Sequence, residues 1–528
     1  MRRWMWFAIL FSAAPGVADV YVRQPGIDIL HYDIAVEISD QSDTITGTTG
    51  IRLQVLADEL SDMWLDFEGM AVDNLRAGGV QVPYELGEGR LSFKLDRRYR
   101  RGETAAIEIR YRGTSGRKGL LIEKNRKGQR VFFAENWPAS AHYWFPCIDH
   151  PHDKATVDLS ITAPDTYRVV GNGRLRSAEA LQGGRKLTHW HEAVAIPTYC
   201  MVFGAAKFAV MHSGRASGIP LSYYYYPFDA RAARVKFSRS GKILDYFSHL
   251  IGPFPYEKLA QVESTTVIGG MENASAIFYA EKSLAGIPVS EAPVPHEIAH
   301  QWFGDSVTES DWDHIWLSEG FATYFDALFY EHVDGRNALQ RRMARAAEDV
   351  MKIGEKLHSP IVDPAITDPS GKLNAFSYQK GAWVLHMLRG ILGDQAFFEG
   401  IRRYYAQYAG RTALSDDFRS VMESAGGVPL ETFFRQWLYQ PGWPQYRATW
   451  EWNGETGSLD LTIRQEQTTG LFDMPLAVVT HDRRGAHSQR VQVSEEVKTV
   501  RLPLPSKPER IEIDPDGWVL KSVVVEKR

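Results

Sequence analysis

His296 and His300 stand four residues apart in the run His296-Glu297-Ile298-Ala299-His300. On a helix that spacing puts both imidazoles on one face, where they can reach a single ion. The pattern is that of a metalloprotease metal helix, with the intervening glutamate as general base. A second predicted helix, beginning near Trp316, brings Glu319. Two histidines and one carboxylate leave a fourth position open for water, the catalytic rather than the structural arrangement of Zn2+. One such ion per chain is expected, held by His296, His300 and Glu319. Glu297 is placed to take a proton from an attacking water and pass it to a leaving amine, and a carboxylate can do both within one turnover. Asp326, seven residues past Glu319, shares its helix face. It is the expected acceptor for the second N–H of a ligand histidine.

These residues need rigid elements around them. From about residue 215 to 435 apolar residues recur at helical spacing. The pattern predicts helices over 237–250, 293–303, 318–332, 338–353, 376–392, 395–408, 415–425 and 430–439. On the N-terminal side the texture is period two, as in Tyr32-Asp33-Ile34-Ala35-Val36 and Ile51-Arg52-Leu53-Gln54-Val55. Such alternation predicts antiparallel sheets with one buried face, arranged as a large sandwich or saddle. Alternation returns after Gln440-Pro441-Gly442-Trp443-Pro444. Asn453-Gly454 then lies between two alternating runs as a hairpin signal.

Further blocks surround the metal motif. His296 to Gly304, followed by Trp316-Leu317-Ser318-Glu319-Gly320, resembles the zinc signature of the aminopeptidase N family of gluzincin metallopeptidases, which includes leukotriene-epoxide hydrolases. Gly269-Gly270-Met271-Glu272-Asn273 is similar to that family's Gly-x-Met-Glu-Asn exopeptidase motif. Tyr378-Gln379-Lys380-Gly381 is similar to its catalytic-tyrosine segment, and Phe145-Pro146-Cys147-Ile148-Asp149 to the end of its N-terminal domain. The resemblance runs from about residue 25 to 445. It implies that Glu272, and Glu135 in Phe133-Ala134-Glu135-Asn136-Trp137, hold a substrate α-ammonium. Carboxylates suit that role through charge-assisted hydrogen bonds. It implies that Gly269, Gly270, Met271 and Asn273 line an edge that binds an extended peptide. It also implies that Tyr378 donates to a developing oxyanion, as a phenol that stays protonated at neutral pH can. Asp305 departs from the family's usual Asn, and His150 from its usual Glu.

The expected fold class is therefore multidomain α+β: an N-terminal antiparallel β saddle over 19–214, a thermolysin-like helical catalytic domain over 215–440, and a small C-terminal β-sandwich over 441–528. The expected function is a zinc-dependent aminopeptidase acting on peptides with a free N-terminus. An epoxide hydrolase or endopeptidase on the same site, and a catalytically silent peptide-binding scaffold, are the alternatives. Composition narrows the partners. With 60 Lys+Arg against 65 Asp+Glu, the net charge of −5 gives no electrostatic case for nucleic acid. Two cysteines, Cys147 and Cys200, exclude a disulfide-rich scaffold and leave a single pairing or two free thiols. Arg2 and Arg3 precede the apolar run Trp4–Ala14, and Pro15-Gly16-Val17-Ala18 follows. That order describes a secretory leader over residues 1–18, a mature chain from Asp19, and a periplasmic or secreted location. No later run is long and apolar enough for a stable membrane span. The best rival, residues 194–209, is broken by Pro197, Gly204 and Lys207.

Overall fold

A computed structural model describes residues 19–285 and 291–528 of the 528-residue chain. The leader predicted over 1–18 lies outside the described residues. The alternating N-terminal segments form strands as expected. In Ile45–Val55 every second residue is buried, and its outer residues face partly outward. An eight-stranded sheet runs from Arg174–Leu181 through Arg185–Pro197, Lys154–Pro164, Ile27–Glu37, Ile45–Val55, Thr104–Gly113 and Met70–Ala77 to Val80–Gln81. One pairing departs from the antiparallel expectation. Ile27–Glu37 lies parallel to Lys154–Pro164, with Tyr32 opposite Val157. Alternation specifies a buried face and not a strand direction. The long stretch of chain between these two strands supplies the crossover that a parallel pair needs. Smaller sheets of three and four strands complete this part of the chain, the second ending in Arg130–Glu135.

The next sheet positions the site. Its order is Ala209–Ala216, Ile219–Tyr225, Leu259–Ser264, Ala276–Ala280 and Gly270–Met271, so Gly270–Met271 is an edge. Gly270 pairs with Tyr279 and Met271 with Phe278. Against this sheet stand the helices. The His helix is Val294–His300, and the Glu helix is Trp316–Asp334. Arg336–Gly354, Ser415–Gly426 and Glu431–Leu438 fall where helical spacing put them. The two segments predicted over 376–392 and 395–408 join differently. Phe376–Lys380 forms a π-helical turn that runs into Gly381–Tyr408, which bends at Gly393, where φ is +77°. A short helix at Ala230–Lys236 had no periodic signal of its own.

The C-terminal strands form a four-stranded and a three-stranded sheet. The hairpin at Asn453 exists, but its turn is longer than an Asn-Gly pair. Asn453 is opposite Ser458. Its side chain accepts from the N–H groups of Glu455 and Thr456, and Gly457 takes the left-handed conformation with φ +61°. Cys147 and Cys200 are both buried free thiols. Among the described residues no helix is long and apolar enough to cross a membrane.

Candidate metal centre and active site

The His helix presents His296 and His300 to the Glu helix. Their Nε2 atoms are 3.0 Å apart, and Glu319 Oε2 lies 3.3 Å from the first and 3.4 Å from the second. Three donor atoms thus mark a triangle. A tetrahedral ion with bonds of about 2.0–2.1 Å would space its ligands by about 3.3 Å, so the group fits such an ion. The chemistry of the donors agrees. His300 Nδ1 is 3.1 Å from the Phe303 carbonyl, which can only accept, so its proton sits there and its Nε2 lone pair faces inward. Ser318 Oγ is 3.0 Å from the same nitrogen. Glu319 Oε2 is buried without a hydrogen-bond partner. Burial alone would raise the Glu319 carboxyl, but the two imidazoles outweigh it and hold it down to about 2. The pocket therefore favours positive charge beside that oxygen.

Glu297 lies on the same helix, buried and turned toward the edge strand. Burial pushes its carboxyl up to about 7, against the pull of the two imidazoles. A Cβ on Gly270 would overlap the Glu297 carboxylate, so the glycine makes room for this group. Glu272, Glu297 and His300 converge, with one oxygen or nitrogen from each within 4.8 Å of the others. Burial raises the Glu272 carboxyl as well. Tyr378 comes from the π-helical turn, a feature that often marks functional positions. Its hydroxyl donates to Glu319 Oε1 at 2.7 Å. Burial, then the Glu319 carboxylate, pushes the phenol far above its ordinary value, so it remains a donor.

These groups open into a cleft of about 520 Å³, a size suited to a small ligand. Gly270, Met271, Glu272, Glu297, Glu319 and Tyr378 all line it, with Trp137 and Ile268 also on its wall and Arg342, Arg345 and Asp349 contributed by the helix Arg336–Gly354. Gly269, Asn273 and Glu135 are not among the lining residues. Asn273 is fully buried and neither side-chain amide atom has a partner. Glu135 accepts from the Val267 N–H at 3.2 Å, so it braces the segment leading to Gly270. Asp326 lines the cleft but does not take the role expected of it. Its Oδ2 accepts from Arg342 Nη1 at 2.5 Å, and no hydrogen bond joins it to either imidazole. The Phe303 carbonyl serves His300 instead.

One positioning residue escaped the sequence reading. Gln301 donates from Nε2 to the Glu272 carbonyl and to Asp305 Oδ2, and accepts the Ser275 N–H at 2.7 Å on Oε1. It ties the Glu272 segment to the His helix. Its place directly after His300 was the available signal. Asp305 also accepts from the Cys200 thiol at 3.3 Å. The His142, His150 and His152 group is locally satisfied: His142 pairs with Asp149, and His150 with both Asp19 and His152.

Comparison with known proteins follows the same boundaries. Residues 29–200 match the model of the peptidase M1 N-terminal domain, and residues 236–437 that of the peptidase family M1 domain. Glutamyl aminopeptidase of Rattus norvegicus is 26% identical over 461 residues, covering 79% of this chain and 48% of its own. Aminopeptidase N of Lactobacillus helveticus is 25% identical over 468 residues, covering 82% of this chain and 53% of its own. A probable aminopeptidase 2 of Sulfurisphaera tokodaii is 23% identical over 471 residues, covering 84% and 58%. The chain spans about half the length of the curated relatives it matches. Two domain models matched in order, enclosing the His/His/Glu group, mean that the chain belongs to peptidase family M1, the aminopeptidase N family of gluzincins.

Proposed function

We propose that the protein is a zinc aminopeptidase that hydrolyses the first peptide bond of peptides with a free N-terminus. The observation that carries this reading is the Glu272 carboxylate, which converges with Glu297 and His300 beside the His/His/Glu group. An α-ammonium held there would put the adjoining carbonyl next to the metal ligands. His296, His300 and Glu319 would hold the ion. When bound, zinc supplies a Lewis acid that polarises a carbonyl and makes a water acidic near neutrality.

The chain's own residues supply the rest. Glu272 receives the substrate ammonium through a charge-assisted hydrogen bond. The Gly270–Met271 edge offers backbone groups to an extended peptide. Glu297 takes the proton of the attacking water and returns it to the leaving nitrogen. The Tyr378 hydroxyl turns from Glu319 Oε1 to the carbonyl oxygen as negative charge develops there. Asp326, through Arg342, steadies the cleft wall. Glu135 acts on the amine end by bracing the 267–268 backbone.

We also propose the saddle over 19–214, the thermolysin-like unit over 215–440 and the sandwich over 441–528 as separately cored domains. Export beyond the cytoplasm is proposed from the leader alone. The test combines metal analysis of the purified protein with a panel of aminoacyl fluorogenic substrates, N-acetylated peptides and a lipid epoxide. Stoichiometric zinc and chelator-sensitive release from unblocked substrates are expected. Turnover of blocked peptides at equal rate, or a metal-free inert protein, would sink the reading.

A further inference from the structure

Asp19, the residue at which the predicted mature chain begins, sits in a built pocket. Its backbone nitrogen donates to Asp311 Oδ2 at 3.0 Å. Arg23 Nη2 donates to that oxygen at 3.1 Å and to the Ser310 carbonyl at 2.8 Å. Asp311 Oδ1 accepts the Asp313 N–H at 3.0 Å. The Asp19 side chain is fixed too. Its Oδ2 is 2.7 Å from His150 Nε2 and accepts the Trp312 N–H at 3.1 Å. The side chains of Asp19, Asp311 and His150 are 6%, 7% and 1% exposed. Chain termini are normally loose unless tied down, and this one is tied down at both its backbone nitrogen and its carboxylate.

The charges show what the pocket lacks. Two buried carboxylates, Asp19 and Asp311, face one permanent cation, Arg23. Uncompensated buried charge is costly. His150 would have to be protonated to balance a chain that continues through an amide at Asp19, and His152 stands against it at 2.8 Å. A free ammonium on the Asp19 nitrogen balances the second carboxylate with His150 neutral. The other charged groups nearby are already matched: Asp313 pairs with Lys372 at 2.5 Å.

We propose that the Ala18–Asp19 bond is a processing site and that the α-ammonium it releases is held by Asp311 as an internal ion pair. Water adds across the bond under an endopeptidase that accepts small residues. The C–N bond breaks, Ala18 keeps the carboxylate, and the Asp19 nitrogen takes a proton. The consequence reaches the site. Asp311 caps the 3-10 turn Trp312–His314, which leads directly into the Glu helix. The new terminus therefore fastens the first strands of the chain to the helix that bears Glu319. This inference does not rest on the peptidase reading.

The test uses the full mature chain recovered from export. Its first residue is read by mass spectrometry, and its α-amine is labelled at pH 8 with a succinimidyl ester. Only the neutral amine reacts, and a free α-amine has a pKa of about 7.7–8.0. Pairing with Asp311 raises that value, so labelling at Asp19 should be slowed by about tenfold for each unit gained. Asp311→Asn should restore the fast rate. Because that change also removes the cap, a second chain carries one alanine ahead of Asp19 and keeps Asp311. Its displaced amine should label at the fast rate. A chain that begins at another residue, or an Asp19 amine labelled as fast in the native protein as in either variant, overturns the proposal.

Discussion

The backbones of Gly320 and Gly381 touch. A Cβ on Gly320 would lie 2.9 Å from the Gly381 Cα, and one on Gly381 would lie 3.0 Å from the Gly320 Cα. Gly320 follows the ligand Glu319, and Gly381 follows the turn that carries Tyr378. The contact therefore fixes how closely the tyrosine hydroxyl approaches the carboxylate, which is 2.7 Å. Gly320→Ala must part the two backbones, since neither neighbour is a flexible side chain. A displacement of about 1 Å at a catalytic group can cost about 100-fold in rate. Gly320→Ala is expected to lower kcat by about that factor while the protein stays folded, checked by steady-state kinetics alongside circular dichroism. Native kcat in the variant would show that this contact does not set the geometry.

Tyr378→Phe removes the hydroxyl and leaves the ring stacked 6.0 Å from His296. Loss of one oxyanion donor costs about 10²–10³ in kcat. KM should move little and metal content not at all, because Glu319 Oε2, not the Oε1 that Tyr378 meets, faces the imidazoles. A variant that loses metal instead would make the tyrosine a structural brace.

Gly270→Ala and Glu297→Gln address one group from two sides. Glu297→Gln should keep the metal and lose turnover, since an amide cannot accept the proton. Gly270→Ala should reach nearly the same loss by driving the carboxylate out of place. The double variant should then be little worse than either single one, because residues in contact do not contribute additively. Additive losses would mean that Gly270 serves the substrate and not Glu297.

Local patterns carried much of this arrangement, and their limits are physical. The i, i+4 histidines need only the helix period to share a face, so His296 and His300 were legible, and Glu319 followed from the next helix. Asp326 shows where such reasoning stops. Helix spacing placed it on the correct face, but its partner Arg342 comes from the following helix, and periodicity has no term for that competition. The Gly270 pocket for Glu297 was likewise invisible, because it depends on the distance between an edge strand and a helix. Alternation found the strands of the N-terminal sheets yet missed the parallel pairing of Ile27–Glu37 with Lys154–Pro164. Asn453-Gly454 announced a hairpin correctly, while the left-handed residue proved to be Gly457.

Glu272 separates an exopeptidase from an enzyme that merely cuts peptides. Its carboxylate is buried, and Gln301 holds its backbone to the His helix. It is thus fixed in place before any substrate arrives. Glu272→Gln keeps the shape and removes the charge. A hydrogen bond to a charged group is worth about 1.5–3 kcal/mol, so kcat/KM for unblocked aminoacyl substrates should fall by about 10–100-fold. Substrates with an acetylated amine lack the ammonium and should be affected far less, if they are cleaved at all. The same substitution should also ease the crowding of carboxylates around Glu297, which Glu272 otherwise helps to raise. The comparison must therefore be the ratio of the two substrates in each protein, not the absolute rate. A ratio left unchanged by Glu272→Gln would take the amine anchor away from this residue.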